Sequence, residues 1–529
     1  MSIRRAVRDG VWVGALLGFL SLAAVCVAQM TTAQVDNART GANLKETILT
    51  PRNVNPRQFG KLLTLKVDGD VYAQPLFVPG VEIPGKGKHD VVFIATEHDS
   101  VYAFDAYGNP SAPLWQVSFL TDGATTIPER DTECFFITPE VGITSTPVID
   151  LKTGTLYVLT RTKTEHLLSA NEYNQQLHAL AITNGVEKFG GPVEIEARVR
   201  GRGDGSSGGF VAFDALRENP RAALLLSKGT VYLSWASSCD VGPYHGWVLA
   251  YDAQTLKQKA VLNDSPDADD AGIWESDTGI AADEEGNVFA ATGNGRFDVA
   301  NGGRDYGDSL VKLSGADLTV VDYFTPFNAA RLNADDNDLG SGGPMLIPLE
   351  KGERERLVVV GGKAPLLYLI DRERMGHFQP DSNSHAIQTV PTQGGIYGAA
   401  AYWNHNVYVL SDGDSLRDYE LSGGRLVFKA ASSFILRDHA ATPAVSANGT
   451  RDGIVWVVSS KGWNSPSRTA VLHAADASNV GRELYNSEMN AGRDRAGLAL
   501  RFNIPTIANG HVYIGAKREV DVYGLLSGK

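Results

Sequence analysis

Apolar and polar positions alternate along most of this chain in pairs of short runs, and the pair recurs eight times. The first four copies read VVFIATEHDSVYAFDA from Val91, TGTLYVLTRT with QLHALA from Thr153, GTVYLSWAS with GWVLAYDA from Gly229, and GNVFAATGN with DSLVKLSG from Gly286. The other four read LVVVGGKAPLLYLIDR from Leu357, NVYVLSDGDSLRDYEL from Asn406, GIVWVVSS with AVLHAADA from Gly453, and HVYIGAKREVDVYGL from His511. Period-two alternation rich in Val, Ile, Tyr and Trp predicts strands, and nothing after the leader sustains a helical period. A unit copied at tens of residues cannot bury its apolar face alone, so the copies must pack on one another. Several copies are preceded by a short strand with Pro or Gly near its start, as in YAQPLFVP from Tyr72, SGGPMLIP from Ser341 and FNIPTIAN from Phe502. Three strands plus a more polar fourth make a propeller blade, so the predicted fold is all-β, an eight-bladed β-propeller of four-stranded blades.

The first repeat has an extra strand before it, FGKLLTLK from Phe59, while the last repeat stops at Leu525 and Leu526 without a fourth strand. Residues 59–66 are therefore expected to pair onto the last repeat and close the ring, which removes two sheet edges. On this reading residues 59–529 form one propeller domain, residues 29–58 an N-terminal extension and residues 1–28 a signal peptide. Arg4, Arg5 and Arg8 before an apolar run at residues 11–27 give the leader its order, with cleavage after Ala28 or Ala33. Cys26 lacks the small residue that lipidation wants before it, since Val25 stands there. No later run is apolar for long enough to span a bilayer.

Losing the leader removes three Arg and one Asp and takes the net charge from −13 to about −15. So acidic a secreted or periplasmic ring is a poor partner for nucleic acid or anionic lipid. Cys134 and Cys239 remain, and either pair in an oxidising compartment or stay as two buried thiols. They form neither a covalent haem motif nor a Cys-rich zinc site, and the histidines show no HExxH. The letters GSSGG around Ser207 lie in a glycine loop and lack the strand and helix of a hydrolase elbow. Arg202, Gly203 and Asp204 spell an adhesion tripeptide, which is too short to imply a partner.

Chemistry enters with the middle third. GIWESDTGIAADEEGNVFAATGN, from Gly272, together with YGDSLVKL from Tyr306, resembles the quinoprotein alcohol dehydrogenase family. Those propellers hold pyrroloquinoline quinone (PQQ) and a calcium ion at the centre, with a Trp as floor under the quinone and the Asn of a TGN turn on the metal. The resemblance places Trp274 and Asn294 in those roles. SCDVGPYHGW, from Ser238, is similar to the acidic metal-ligand segment, with Asp240 where a Glu is usual. DDNDLGSGG, from Asp335, resembles the segment of the catalytic Asp and implies Asp338 as general base. GGKAPLLYLIDR, from Gly361, resembles the segment whose basic residue faces the quinone oxygens, here Lys363. Those types suit the chemistry: calcium takes hard oxygen donors, a carboxylate can accept an alcohol proton, and a lysine can stabilise charge on a reduced quinone.

The chain also departs from the family. Where an adjacent cysteine pair and an Arg for a cofactor carboxylate are usual, it reads TECFFITPEVGITSTP from Thr132, with a single Cys134 and with Glu140 and Val141 near the Arg place. PQQ carries three carboxylates, so a lost cation and a gained acid should weaken its binding unless another Arg compensates. Each residue also has a structural reading: Trp274 as a core cap, Asn294 as a turn residue, Asp338 as a solvated carboxylate and Lys363 as an exposed lysine. Two functions follow. One is a quinoprotein oxidoreductase acting on an alcohol or sugar with an external electron acceptor. The other is a non-catalytic propeller that binds protein or glycan, related to outer-membrane assembly scaffolds.

Overall fold

The structure is a computed structural model that describes residues 28–526, apart from residues 122, 168, 277, 350–354, 438, 440 and 441. The leader expected at residues 1–28 therefore lies outside it except for Ala28. Eight sheets form the ring, and the first strands of most neighbouring sheets touch around the axis. Blade 1 runs Leu76–Ile83, Gly87–Thr96, Ser100–Asp105 and Trp115–Ser118. Blades 2 to 7 follow in chain order with inner strands Val148–Asp150, Leu225–Ser227, Ala281–Ala282, Met345–Leu346, Ala401–Trp403 and Ala444–Asn448. Some blades carry a fifth short strand, such as His377–Phe378 beside Val320–Thr325 in blade 4.

Blade 8 has Thr506–Ala508, His511–Ala516 and Glu519–Leu525 from the C-terminus, and its outer strand is Phe59–Lys66 from the N-terminus. The ring thus closes as the missing fourth strand predicts. Phe59 anchors the closure, fully buried with its ring centroid 5.0 Å from Tyr485 and 5.5 Å from Trp456. Between blades the second and third strands are largely buried, as at Thr230–Ser237 where every residue is, because both of their faces pack on neighbouring sheets.

Residues 30–43 run through the ring and bond to every blade in turn. Met30 exchanges backbone hydrogen bonds with Phe77 of blade 1, and Ile149 N of blade 2 donates to Thr31 O at 2.8 Å. Asn37 Nδ2 donates to Leu226 O of blade 3, and Ala282 N of blade 4 donates to Asn37 O. Leu346, Tyr402 and Val445, of blades 5, 6 and 7, donate to the carbonyls of Ala38, Thr40 and Gly41. Asn43 Nδ2 reaches Ile507 O of blade 8 at 2.9 Å. Arg39 is completely buried; its guanidinium donates to Thr32 Oγ1, Ala33 O, Leu224 O and Ile280 O. Burial lowers the Arg39 guanidinium to about 10 against the opposing pull of Glu275 and Asp36.

Arg39→Met keeps bulk while leaving three carbonyls and a hydroxyl without their donor. Chemical denaturation should show a loss of about 3 kcal/mol or more. A change below about 1 kcal/mol would place the support of the channel elsewhere in the segment.

Candidate functional site

A cavity of about 370 Å³ opens in the ring, lined by Trp274, Asp240, Asp338, Lys363, Arg221 and Arg501 among others. Its walls come from two kinds of segment. The approaches to the inner strands supply Arg221, Trp274, Asp338, Tyr397, His439 and Arg501, each four to seven residues before its strand. The turns between the second and third strands supply Asp240 and Lys363. In a propeller these two kinds of connection lie on one face, so the eight-fold pattern itself brings together residues far apart in sequence.

Of the five residues expected from the sequence, Asp240, Trp274, Asp338 and Lys363 line the cavity, and Asn294 lies behind it, bonded to Asp338 and Asp336. Asn294 N donates to Asp338 Oδ1 at 2.7 Å, and its Nδ2 donates to Asp336 Oδ1 at 2.8 Å. Asn294 Oδ1 is buried with no hydrogen-bond partner among the described residues. The preceding Gly293 is required by a close approach, since a Cβ there would sit 2.3 Å from Asp338 Oδ1 and 2.7 Å from Trp274 Nε1. Asp338 is 1 % exposed, which rules out the solvated-loop reading. Lys363 Nζ lies 2.5 Å from both Asp338 Oδ2 and Asp336 Oδ1. Burial disfavours the Lys363 charge, yet Asp338 and Asp336 outweigh it and hold the ammonium above its ordinary range. Asp336 is thus a pocket residue that the motif comparison passed over.

Asp240 sits at the rim, its Oδ1 accepting from Tyr244 OH at 2.8 Å. Desolvation raises its carboxyl, with Asp338 adding to the rise and Lys363 opposing it. Both Asp240 and Cys239 adopt positive φ, a costly backbone for residues with side chains. Cys239 is bonded to Cys134, with 5.5 Å between their Cα atoms and a sequence separation of 105, so the two cysteines pair. In the chain-entropy view so long a loop contributes about 4 kcal/mol. The bond fastens the Asp240 turn of blade 3 to the connection between blades 1 and 2.

The cation deficit expected at residues 132–147 does not carry through to the pocket. Glu140 faces away, accepting from Thr126 Oγ1 and lying 3.0 Å from His98 Nδ1. Arg221 and Arg501 enter instead, 5.0 and 4.9 Å from the ring of Phe502. Motif comparison missed them because neither has a local signature. The signal that would have found them is their place, just ahead of an inner strand.

The protein's sequence matches no family model and no curated protein. Its structure is similar to the quinohemoprotein alcohol dehydrogenase ADHIIG from Pseudomonas putida HK5, at TM-score 0.63 and 14% identity over 95% of this chain and 81% of that one. A europium-containing methanol dehydrogenase gives TM-score 0.58 and 14% identity over 92% of this chain and 89% of that one. BamB from Moraxella catarrhalis gives TM-score 0.50 and 12% identity over 88% and 99%. These likenesses show the fold, an eight-bladed β-propeller. No described helix is long and apolar enough to cross a membrane.

The pocket residues fit a planar polyanion beside a hard cation. Trp274 offers a flat face, Lys363, Arg221 and Arg501 bring positive charge, and Asn294 Oδ1 is an orphaned oxygen donor. Among the described residues no three His, Cys, Asp or Glu side chains close around a metal by themselves.

Beneath this pocket Glu275, next to Trp274, is fully buried, and burial raises its carboxyl to about 8 against Arg39 and the Ala291 N–H. Its ordinary value is 4.5, so the folded state holds the proton more tightly than the unfolded chain. Stability from this group is present below about pH 4.5 and is lost as pH rises to about 8. The melting midpoint of Glu275→Gln, relative to the parent, should therefore rise between about pH 5 and about pH 8. A constant difference across that range would show the carboxyl ionised throughout.

Proposed function

We propose that this protein is a secreted or periplasmic quinoprotein oxidoreductase that oxidises an alcohol or sugar with PQQ and calcium and passes electrons to an external acceptor. The observation that carries the reading is the meeting of Asp338 and Lys363 beside Trp274 in one pocket, with Asn294 bonded to Asp338. PQQ, when bound, supplies the two-electron acceptor and calcium a Lewis acid beside its carbonyl. Trp274 gives the ring system a stacking face. Asp240 and Asn294 would hold the metal through oxygen. Asp338 is placed to take the proton of the substrate hydroxyl, and Lys363, paired with it, would present a positive charge to the bound cofactor. An acceptor such as a cytochrome is required because the chain has no haem-attachment motif of its own.

A second reading, a non-catalytic scaffold for protein or glycan, draws on Phe135, which is 64 % exposed beside the pocket-lining Phe136. Exposed aromatics on a loop suit docking.

The two part on one experiment. PQQ with calcium should bind the purified protein in calorimetry and support dye reduction over an alcohol and sugar panel. Asp338→Asn should lower kcat by about 100-fold or more with PQQ binding retained, whereas Trp274→Ala should weaken binding itself. Absence of heat and turnover in the parent would end the quinoprotein reading.

A further inference from the structure

The start of the axial segment bears on how the chain is processed. The sequence offers two points of leader cleavage, after Ala28 and after Ala33, and residues 29–33 lie between them. Met30 is 2 % exposed, exchanges backbone hydrogen bonds with Phe77 and packs in a cluster with Val71 and Tyr513. Thr31 O accepts from Ile149 N at 2.8 Å. Thr32 Oγ1 and Ala33 O accept from Arg39 Nη1 at 2.8 and 2.9 Å.

A chain cut after Ala33 would lack all of these partners, leaving groups of blades 1 and 2 and the buried Arg39 guanidinium without them. Its new α-ammonium would fall on Gln34, which is 1 % exposed and whose N is bonded to Gln74 Oε1. A charge placed so deep is strongly disfavoured. A chain cut after Ala28 gives up one buried methyl and sets the ammonium on Gln29, which is exposed. A leader peptidase reads the unfolded chain, so the fold does not steer the cut; it requires the product that keeps residues 29–33.

An N-terminal glutamine carries its nucleophile and its electrophile in one residue. The α-amine lone pair attacks the side-chain amide carbon, a lactam ring closes, the Cδ–Nε2 bond breaks and ammonia leaves, with no oxidation or reduction. The step is intramolecular and needs only a side chain free to fold back on the amine. Gln29 meets that condition, being exposed and without a hydrogen bond among the described residues. Gln34 does not, since it is buried and its Nε2 donates to Ala400 O.

We infer that the mature chain begins at Gln29 and that Gln29 is converted to pyroglutamate. The inference rests on the secreted or periplasmic part of the proposed function and is independent of PQQ. A lactam leaves no α-amine for an aminopeptidase, so the end that precedes Met30 is closed to trimming. Trimming from there would strip the partners of blades 1 and 2 one residue at a time.

The full chain, expressed with its own leader in a secreting bacterial host, tests this by intact mass and N-terminal sequencing. The mass should be that of residues 29–529 less one ammonia, and the N-terminus should resist chemical sequencing until a pyroglutamyl peptidase is added. Gln29→Ser should restore a free amine at the same start and, under a broad-specificity aminopeptidase, lose residues that the parent keeps. A form without residues 29–33 should melt lower by about 5 °C or more. An unchanged midpoint would overturn the choice of Ala28. A chain that starts at Gln34, or at Gln29 with a free amine, would overturn the inference and leave secretion standing. A chain that retains its leader would defeat both.

Discussion

An inner propeller strand has a neighbour on one side only; on the other its N–H and C=O groups face the axis. Each such group left buried and unpaired costs about 1–3 kcal/mol. In this protein residues 30–43 supply the partners, bonding to Phe77, Ile149, Leu226, Ala282, Leu346, Tyr402, Val445 and Ile507. One segment therefore closes eight edges that no pair of blades could close for each other. Blades of unlike sequence acquire a common axis from it, and the cavity above inherits that frame.

The frame reaches the pocket through charge. A guanidinium as deeply buried as Arg39 needs acceptors on all sides, and it has them in three carbonyls and a hydroxyl, with Glu275 and Asp36 adding attraction. Glu275 follows Trp274 directly, and its N–H donates to Gly340 O at 2.9 Å. That bond joins the approach carrying Trp274 to the approach carrying Asp338. Asn294 completes the junction by donating its backbone N–H to Asp338, so floor and carboxylate move as a unit. A site built this way is preorganised by backbone bonds rather than by side-chain fit.

The blades were legible because alternation is local: VVFIAT or TVYLSWAS announces a buried strand within its own length. Closure by Phe59–Lys66 was legible from counting strands. That Trp274, Asp338 and Lys363 share a cavity, with Asn294 bonded to Asp338, could be anticipated because each sits in a local motif, while their roles belong to the proposed function. The axial role of residues 30–43 was not, since a segment such as DNARTGANLKE has no periodicity and its partners lie up to 464 residues away. Arg221 and Arg501 were hidden for the same reason. Their meeting comes from the ring that brings blades 3 and 8 to one cavity, and no window of sequence contains that ring.

The disulfide shows how such a dispersed site is held. The acidic half rests mainly on adjacent blades 3, 4 and 5, tied by the Asn294–Asp338–Lys363 bonds. The basic half spans blades 3 and 8, across the connection between blades 1 and 2 that bears Phe136. Cys134 is two residues from Phe136, and Cys239 is one from Asp240. Their bond ties the aromatic support of Arg501 to the turn of Asp240, so the two halves of the pocket keep one spacing. The two cysteines lie 105 residues apart in sequence, and what their bond fastens is the width of the cavity itself.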